Sequence, residues 1–472
     1  MGLLTFKGGI HPKDGKALAK DQPIKELLPL GELVYPLSQH IGAPAVPLVK
    51  KGDHVLKGQK IAEAGGFVSA PVYASVAGTV KAIEMRYNPA GSKVNCIVLE
   101  NDGTYEEVEY TPITSLKELT KEEIIERISE AGVVGMGGAG FPTKVKLSPK
   151  EADKIEYIIA NGAECEPYIT ADYRRMMECT KEIVSGMEVV LSLFPNAEGI
   201  FAVEDNKKDC VEKLKEAIAG KSRMSVKVLE TKYPQGAERQ LIYATTKRAI
   251  HAAMLPADTG CIVDNVETLI AINQAVRFGK PLMERVVTVS GDDIQNPGNF
   301  RVPIGMNHRE LVDAAGGFIT EPQKLISGGP MMGFAMVTLD APVTKTSSSI
   351  LAFQKDEAAE AKETACINCG RCVEVCPSRI IPSRLADLSE RHNEEGFVKM
   401  NGLECVECGS CSFVCPAKRN LKQAIGSKIG RASCRERVQI SVVAVSLKKK
   451  WPILGNLPDT WLRLLSCLLV GR

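Results

Sequence analysis

The spacing of apolar positions changes several times along the chain, and each change predicts a different kind of element. Between residues 45 and 100, short apolar runs alternate with glycine turns. Val46-Pro47-Leu48-Val49 leads into Lys51-Gly52-Asp53, Lys57-Gly58-Gln59 leads into Ile61, and Ala70-Pro71-Val72 and Val76-Ala77-Gly78-Thr79-Val80 follow. Strand-length runs punctuated this closely predict a small sandwich or barrel. Upstream there is no strong period, and Pro23, Pro29, Pro36, Pro44 and Pro47 keep the chain extended and rich in turns. From Ser115 the pattern mixes. Leu116–Ala131 places Ile124, Ile125 and Ile128 on one face of a helix. A strand over Ile155–Ala160 ends at Asn161-Gly162, and helix Ile183–Leu193, strand Gly199–Val203, helix Val211–Ala219 and strand Val226–Leu229 follow. This alternation predicts an α/β layer. Another β-containing stretch opens at Val286–Ser290 and includes a short helix, Arg309–Ala315, and a strand, Lys324–Ile326. Residues 341–365, with Pro342, Thr344, Lys345, Ser347, Ser348 and Ser349 and then a charged run to Glu363, read as a linker.

At 472 residues the chain has room for about three domains of ~150 residues each. Its 44% hydrophobic and 25% charged residues are ordinary for a soluble protein. No apolar run approaches the ~20 residues needed to cross a bilayer, and Met1 to Lys20 lacks the apolar core of a signal peptide. A formal charge of +2 gives no reason to expect a nucleic-acid partner. The unusual total is 15 cysteines, eight of them between Cys366 and Cys415. In a reducing compartment, cysteines grouped like this serve metal or catalysis rather than disulfides.

Cys366, Cys369, Cys372 and Cys376, followed by Pro377, form a C-x2-C-x2-C-x3-C-P run, and Cys405, Cys408, Cys411 and Cys415, followed by Pro416, repeat it. This is the bacterial two-cluster ferredoxin signature, in which the fourth cysteine of each run ligates the other cluster. It predicts one [4Fe–4S] cluster on Cys366, Cys369, Cys372 and Cys415, and a second on Cys376, Cys405, Cys408 and Cys411. Soft thiolates suit iron–sulfur centres. The alternative is zinc, whose sites usually separate two CxxC pairs by a longer loop. Crosswise ligand sharing holds two clusters close together, which serves electron transfer.

Gly135-Met136-Gly137-Gly138-Ala139-Gly140-Phe141-Pro142-Thr143 is a second chemical signal. Such a loop either lets backbone N–H groups approach a phosphate or is only a tight turn. It does not match the GxGxxG fingerprint in its strand–turn–helix setting. Asn161-Gly162-Ala163-Glu164-Cys165-Glu166-Pro167 sits at a strand end, where α/β sheets bind ligands. Tyr233-Pro234-Gln235-Gly236-Ala237-Glu238 and Asp264-Asn265-Val266-Glu267-Thr268 are further polar turns, whose acids taken singly read as solvated surface groups.

Together these four segments resemble the NADH- and FMN-binding flavoprotein subunit of respiratory complex I. The resemblance implies that Gly135, Gly137, Gly138, Gly140 and Lys146 surround flavin phosphate and nucleotide. It further implies that Asn161, Glu164 and Glu166 face the isoalloxazine and nicotinamide, and that Gly236, Glu238, Asn265 and Thr268 complete the pocket. The chain departs from that family at Met136, usually arginine, at Leu147, usually tryptophan, and at Cys165, usually glycine. Cys165 lies either beside the flavin or in packing.

The order of parts is similar to that of the C subunits of Rnf electron-transport complexes, over roughly residues 1–427. The fold class implied is multidomain, α/β plus β. It comprises an N-terminal extension (1–34), a barrel-sandwich hybrid (35–114), a Rossmann-like NADH/FMN domain (115–285), a β-grasp segment (286–340), the linker (341–365) and a two-cluster ferredoxin domain (366–427). The implied cofactors are FMN, NAD(H) and two [4Fe–4S] clusters. The implied partners are the other subunits of the membrane complex, with ferredoxin reached indirectly, and the implied place is peripheral, on the cytoplasmic face of the membrane. Gly52 to Gln59 and Ala70 to Val80 resemble lipoyl hammerhead domains, but Ala62 to Ser69 offers no lysine to modify, so the module reads as structural, with His40 and His54 as surface histidines. Two alternatives stay open. One is a cobalamin reductase of the propanediol-utilisation type, against which an N-terminal barrel-sandwich argues. The other is a wiring subunit that carries clusters but binds no nucleotide, which the departures at Met136 and Leu147 keep alive.

Residues 428–472 do not continue the ferredoxin pattern. They hold Lys448-Lys449-Lys450, Leu464-Leu465, Leu468-Leu469 and the chain's two tryptophans, Trp451 and Trp461. One reading is a basic amphipathic tail for a membrane surface. The reading we favour is a non-native tail, because Ile429 to Lys450 resembles the conceptual translation of a sequencing-library adapter, with Gln439 on an amber codon. Cys434 and Cys467 then drop out of the cofactor count. The tail holds nine of the 59 basic and two of the 57 acidic residues, so without it the chain carries 50 and 55 and is net −5.

Overall fold

The strand–helix alternation after Ser115 builds a four-stranded, all-parallel sheet in the order Met224–Leu229, Glu198–Glu204, Tyr157–Gly162, Cys261–Asn265. Its strands are apolar on both faces because both are covered, the arrangement parallel sheets require. Ile158, Ala160, Phe201, Val203 and Ile262 pack on one side with helices Thr180–Leu193, Lys208–Ala217 and Val266–Phe278. Ile159, Ile200, Ala202, Cys261 and Val263 pack on the other with helix Glu238–Thr246. The strand order reverses between Tyr157–Gly162 and Cys261–Asn265. The crevice at the carboxyl ends of two such strands is where doubly wound sheets bind ligands.

This computed structural model describes residues 3–429, and contacts divide the chain into two compact units. The first runs up to Phe6 and includes His11–Ile250 and Met254–Ala359; the second includes Lys7–Ile10, His251–Ala253 and the chain from Glu360 on. Of the tail expected as non-native, all but Lys428 and Ile429 lies outside the described residues.

Local capping explains where the predicted elements shift. The helix expected over 116–131 breaks in two: a 3-10 turn, Leu116–Glu118, capped by Ser115, and a helix, Lys121–Glu130, capped by Thr120. Each has a reciprocal capping box, with Glu118 and Glu123, and a cap of this kind is worth about 1 kcal/mol. Ile124 and Ile128 face the core as expected. The strand expected from Ile155 begins at Tyr157 because Ala152–Lys154 is a 3-10 turn that Ile155 closes.

The N-terminal module is a sandwich of two small sheets. One orders strands Glu32–Pro36, Lys93–Asn101, Gly78–Tyr87 and His54–Val55; the other orders Val46–Pro47, Lys60–Glu63 and Val72–Tyr73. Residues 64–69 connect two strands of the smaller sheet, and Phe67, 77% exposed, stands among them where a carrier would need a lysine. His54 is at the surface, 2.9 Å from Asp102. His40, expected at the surface, is buried. Its Nε2 lies 3.1 Å from both the N and the O of Ala70, and its Nδ1 3.1 Å from Ile41 O. Burial first, and then the nearby Lys345, holds its pKa down at about 4.

The β-grasp sheet corrects two boundaries. Its strand order is Ile24–Glu26, Gly298–Pro303, Glu284–Ser290, Ser349–Phe353, Lys324–Ser327, Phe334–Ala335, with helix His308–Ala314 beside it. Ser349–Phe353 runs parallel to Glu284–Ser290 and antiparallel to Lys324–Ser327, so the supposed linker over 341–365 supplies a central strand. Its polar residues misled because they are buried with partners: the Thr344 N–H donates to Ser347 Oγ at 2.9 Å and the Lys345 N–H to Gln39 Oε1 at 3.0 Å. The supposed extension over 1–34 is likewise absorbed, since Ile24–Glu26 pairs with Asn299–Arg301 and Glu32 opens a barrel-sandwich strand.

Lys345 ties three modules together. It is 1% exposed, and its Nζ donates to Pro71 O at 2.6 Å and Gly132 O at 2.7 Å. Burial pulls its pKa from 10.5 down to about 7. In the window from about 7 to 10.5 the unfolded chain therefore binds the extra proton, and stability rises with pH through it. Thermal unfolding of the wild type is expected to show a gain of about 2–3 kcal/mol between pH 7 and 9 from this group. Lys345→Met removes that slope; an unchanged slope in the variant refutes the assignment.

Candidate functional site

The glycine loop is pinched at its neck and open at its tip. The Gly135 N–H donates to Phe141 O at 2.8 Å, and Val134 bridges Pro142. Gly137, Gly138 and Ala139 are exposed, and nothing stands within 4 Å of where a Gly138 Cβ would be. A Cβ on Gly137 would lie 3.0 Å from that of Asn265, at the carboxyl end of the fourth parallel strand. The loop tip thus hangs over the point where the strand order reverses. A cradle lined by missing side chains at a switch point suits a phosphate-bearing ligand.

The other expected residues gather at the same strand ends. Asn161 closes the first strand; its Nδ2 donates to Gly236 O at 2.9 Å and its Oδ1 accepts the Ala163 N–H at 3.2 Å. The Gly236 N–H reaches Cys165 Sγ at 3.2 Å, so Cys165 packs against the second turn, and burial pushes its thiol pKa up. Glu164 sits at φ 46°, in the left-handed region, and accepts the Asp172 N–H at 2.7 Å. Asn265 Nδ2 donates to Asp172 Oδ2 at 2.7 Å while its Oδ1 caps helix Val266–Phe278. Lys146 Nζ donates to Val263 O at 2.6 Å and pairs with Asp264 at 3.1 Å. Burial opposes its charge, but Asp264 and then Glu238 outweigh it and raise its pKa.

Gly140, Thr268 and Glu166 also meet protein neighbours. Gly140, at φ 71°, lies where a Cβ would stand 3.0–3.1 Å from Thr346, Gln39 and His40, so it serves loop packing. Thr268 is fully buried and its Oγ1 accepts the Met136 N–H at 3.0 Å, anchoring the loop. Glu166 accepts the N–H groups of Met331 and Met332 at 3.1 and 3.0 Å, fastening a turn of the β-grasp domain beside the site. Burial pushes its carboxyl up to about 7 despite those bonds.

The structure adds residues that the sequence did not single out. Lys16 Nζ donates to Glu166 O at 2.9 Å and Ile169 O at 2.5 Å and stands 3.6 Å from Glu164. Asp172 is held up at about 7, by burial first and then by Glu164 and Glu267. Gln235 is fully buried, and both atoms of its carboxamide lack a hydrogen-bond partner among the described residues, as do Glu164 Oε2 and Asp264 Oδ2. Gln235 and Asp264 belong to the two polar turns 233–238 and 264–268 and are flanked by glycine and asparagine. Lys16 carried no local signal. Unpaired buried polar atoms around an open glycine cradle fit a polar cofactor.

In the second unit the eight cysteines fall into two groups. One cavity is lined by Cys366, Cys369, Cys372 and Cys415, another by Cys376, Cys405, Cys408 and Cys411. Each group takes its fourth cysteine from the other run.

Comparison with known families matches all four parts. Residues 4–104 match the RnfC barrel sandwich hybrid domain, 128–274 the Nuo51 FMN-binding domain, 286–335 the SLBB domain and 365–418 the 4Fe-4S dicluster domain. The chain is 47% identical over 426 residues to the C subunit of the proton-translocating ferredoxin:NAD(+) oxidoreductase complex of Clostridium ljungdahlii, covering 90% of this chain and 93% of that one. The chain belongs to the RnfC family. RnfC from Acetobacterium woodii, named for a Na(+)-translocating complex, is 44% identical over 89% of this chain and 95% of its own. The C subunit of the ion-translocating oxidoreductase complex of Haemophilus influenzae is 39% identical over 81% of this chain and 59% of its own. The fold expected from the sequence, with FMN and two [4Fe–4S] clusters as cofactors, stands, and zinc and the cobalamin reductase fall away. Met136 and Leu147 are each 2% exposed and lie in the core, so the departures from the complex I pattern are packing changes.

Proposed function

We propose that this chain passes electrons between NAD(H), an FMN bound at the switch point, and two [4Fe–4S] clusters. It would do so as a peripheral subunit on the cytoplasmic face of a membrane ferredoxin:NAD oxidoreductase complex, with the complex's other subunits as partners and ferredoxin reached through them. No helix among the described residues is long and apolar enough to cross a membrane. The observation that carries the reading is the placement of the open loop tip, Gly137–Ala139, over Asn265, which Asp172 joins by hydrogen bonds to Glu164, while the next residue, Cys165, accepts from Gly236, which is itself bonded to Asn161.

In this reading Gly135, Gly137 and Gly138 line the phosphate cradle, and Lys146 supplies a positive charge fixed by Asp264. Asn161, Glu164, Gly236 and Glu238 line the ring and nicotinamide side, with Asn265 setting the loop's height. Gly140, Glu166 and Thr268 hold the walls. Bound flavin supplies the conversion between two-electron hydride transfer and single-electron transfer. The chain's residues orient the rings and exclude water; none needs to act as a general acid or base. Cys366, Cys369, Cys372 and Cys415 hold one cluster, and Cys376, Cys405, Cys408 and Cys411 the other.

The test uses the full chain, purified anaerobically, reconstituted with iron and sulfide, supplied with FMN and titrated with NADH. Flavin bleaching followed by cluster reduction is expected. Cluster signals with no flavin retention and no NADH response would leave only a wiring role. Gly137→Val, which crowds Asn265, is expected to abolish flavin retention while leaving the iron content unchanged; normal flavin binding by this variant would remove the loop from the site.

A further inference from the structure

The two halves of the ferredoxin unit share one backbone, 39 residues apart. Asn368 and Glu407 have φ of 55° and 52°, Gly370 and Gly409 77° and 79°, Arg379 and Lys418 56° and 54°. The Asn368 N–H reaches Cys366 Sγ at 3.4 Å, and the Glu407 N–H reaches Cys405 Sγ at 3.4 Å. Symmetry of backbone and of N–H to sulfur bonds predicts two equivalent clusters. Their surroundings break that equivalence.

Residues 362–371, the wall that carries Cys366 and Cys369, are all exposed, whereas among their counterparts 401–410 only Asn401 is. Ile367 is 65% exposed; its counterpart Val406 is half-buried. Cys376, Cys408 and Cys411 are 7%, 7% and 9% exposed. The second quartet is covered from within its own unit. The Gly9 N–H donates to Val375 O at 2.8 Å, and Gly8 lies so close that a Cβ would stand 2.9 Å from Cys376 O. Phe397 and Leu385 pack with Cys376 and Cys405. The Ala252 N–H reaches the Glu404 carboxylate at 3.0 Å.

Solvent exposure is one of the levers that set a cluster's potential, and an apolar side chain standing in water beside a redox centre gains by being covered. We infer that the cluster of Cys366, Cys369, Cys372 and Cys415 is this subunit's exchange port, with Ile367 at the centre of a docking wall over 362–371, and that the other cluster is screened from partners by its own unit. The inference rests on the proposed function. The occupant of the wall is another subunit of the same complex bearing a one-electron centre, because a cluster gives or takes one electron at a time. One electron moves between that centre and the cluster; no bond forms and no proton moves. Ile367 with the half-exposed Val373 gives an apolar middle, and Lys362, Glu363 and Arg371 give a charged rim of both signs, the usual anatomy of a protein–protein contact.

The test is Ile367→Asp in the complete membrane complex. Electron flow from reduced ferredoxin to NAD is expected to fall by about tenfold or more, the effect of ~1.4 kcal/mol of lost docking. In the isolated variant subunit, NADH still reduces both clusters. Wild-type flow in the variant complex overturns the inference. Failure of NADH to reduce the clusters of the isolated wild-type subunit overturns the proposed function instead. A second measurement does not depend on the variant. A soluble dysprosium chelate is expected to speed relaxation of one cluster's paramagnetic signal in the isolated subunit, the one lost in Cys366→Ser, and to lose that effect in the assembled complex. Equal effects on both clusters, or no protection on assembly, overturn the inference.

Discussion

Glu267→Ala is expected to cost the larger unit about 3–5 kcal/mol, the penalty of leaving buried charge without its partner. Glu267 opens the helix Val266–Phe278 and is 2% exposed. Its carboxylate pairs with Arg285 at 3.0 Å and Arg175 at 3.3 Å and accepts the Val286 N–H at 2.9 Å. Burial opposes the charge on both arginines. On Arg175 the Glu267 carboxylate outweighs it and the pKa rises; on Arg285 burial wins and the pKa falls. Arg285 is kept in place by donating to Ser347 O at 2.9 Å and Met136 O at 3.4 Å. Because Met136 belongs to the glycine loop, Val286 to the β-grasp sheet and Ser347 to the segment leading into its strand Ser349–Phe353, Glu267 and Arg285 together fasten the glycine loop to the β-grasp domain. The urea midpoint of the transition reporting the flavin unit checks the prediction. Glu267→Gln, which keeps acceptors for the N–H groups but not the charge, should fall between. An alanine variant within about 0.5 kcal/mol of wild type, the range of an ordinary surface substitution, would show that the network is dispensable.

What was legible in the sequence divides along the same physical lines. The four-stranded sheet could be read because parallel strands buried on both faces leave unmistakable apolar runs such as Ile158-Ile159-Ala160 and Ile200-Phe201-Ala202-Val203. The two cysteine groups could be read because iron–sulfur chemistry fixes both residue type and spacing, and two cavities gather the same quartets. The strand Ser349–Phe353 could not, because its approach is a buried run of threonine, lysine and serine whose partners, Gln39, Pro71 and Gly132, lie more than 200 residues earlier. The candidate site was legible as motifs but not as roles. Thr268, Gly140 and Glu166 carry the same local signal as Gly138, yet they have protein neighbours where a Cβ on Gly138 would meet nothing within 4 Å. Only the fold separates a residue that faces a ligand from one that props up its neighbour. Lys16 and Gln235 show the converse: a buried amine and an unpaired buried carboxamide become notable only once their surroundings are known.

The crosswise cysteine assignment makes the sharpest prediction about the clusters. Cys415 follows the second run in sequence but lines the cavity of the first, and Cys376 follows the first run but lines the cavity of the second. Cys415→Ser is therefore expected to remove the cluster of Cys366, Cys369 and Cys372, and Cys376→Ser the cluster of Cys405, Cys408 and Cys411. Each variant should lose about half the iron of the reconstituted chain, since every [4Fe–4S] cluster takes four cysteines. The two losses are distinguishable because the environments differ. Cys366 and Cys369 are exposed, whereas Cys376, Cys408 and Cys411 are buried, and Ser410 Oγ stands 3.4 Å from Cys408 Sγ. Exposure and hydrogen bonding to sulfur both shift potential, so the surviving cluster in each variant should titrate at its own midpoint. Low-temperature paramagnetic spectra taken during a redox titration decide the outcome. If Cys415→Ser instead spared the signal lost in Cys366→Ser, each run would serve its own cluster, and the interleaving that holds the two centres together would be absent.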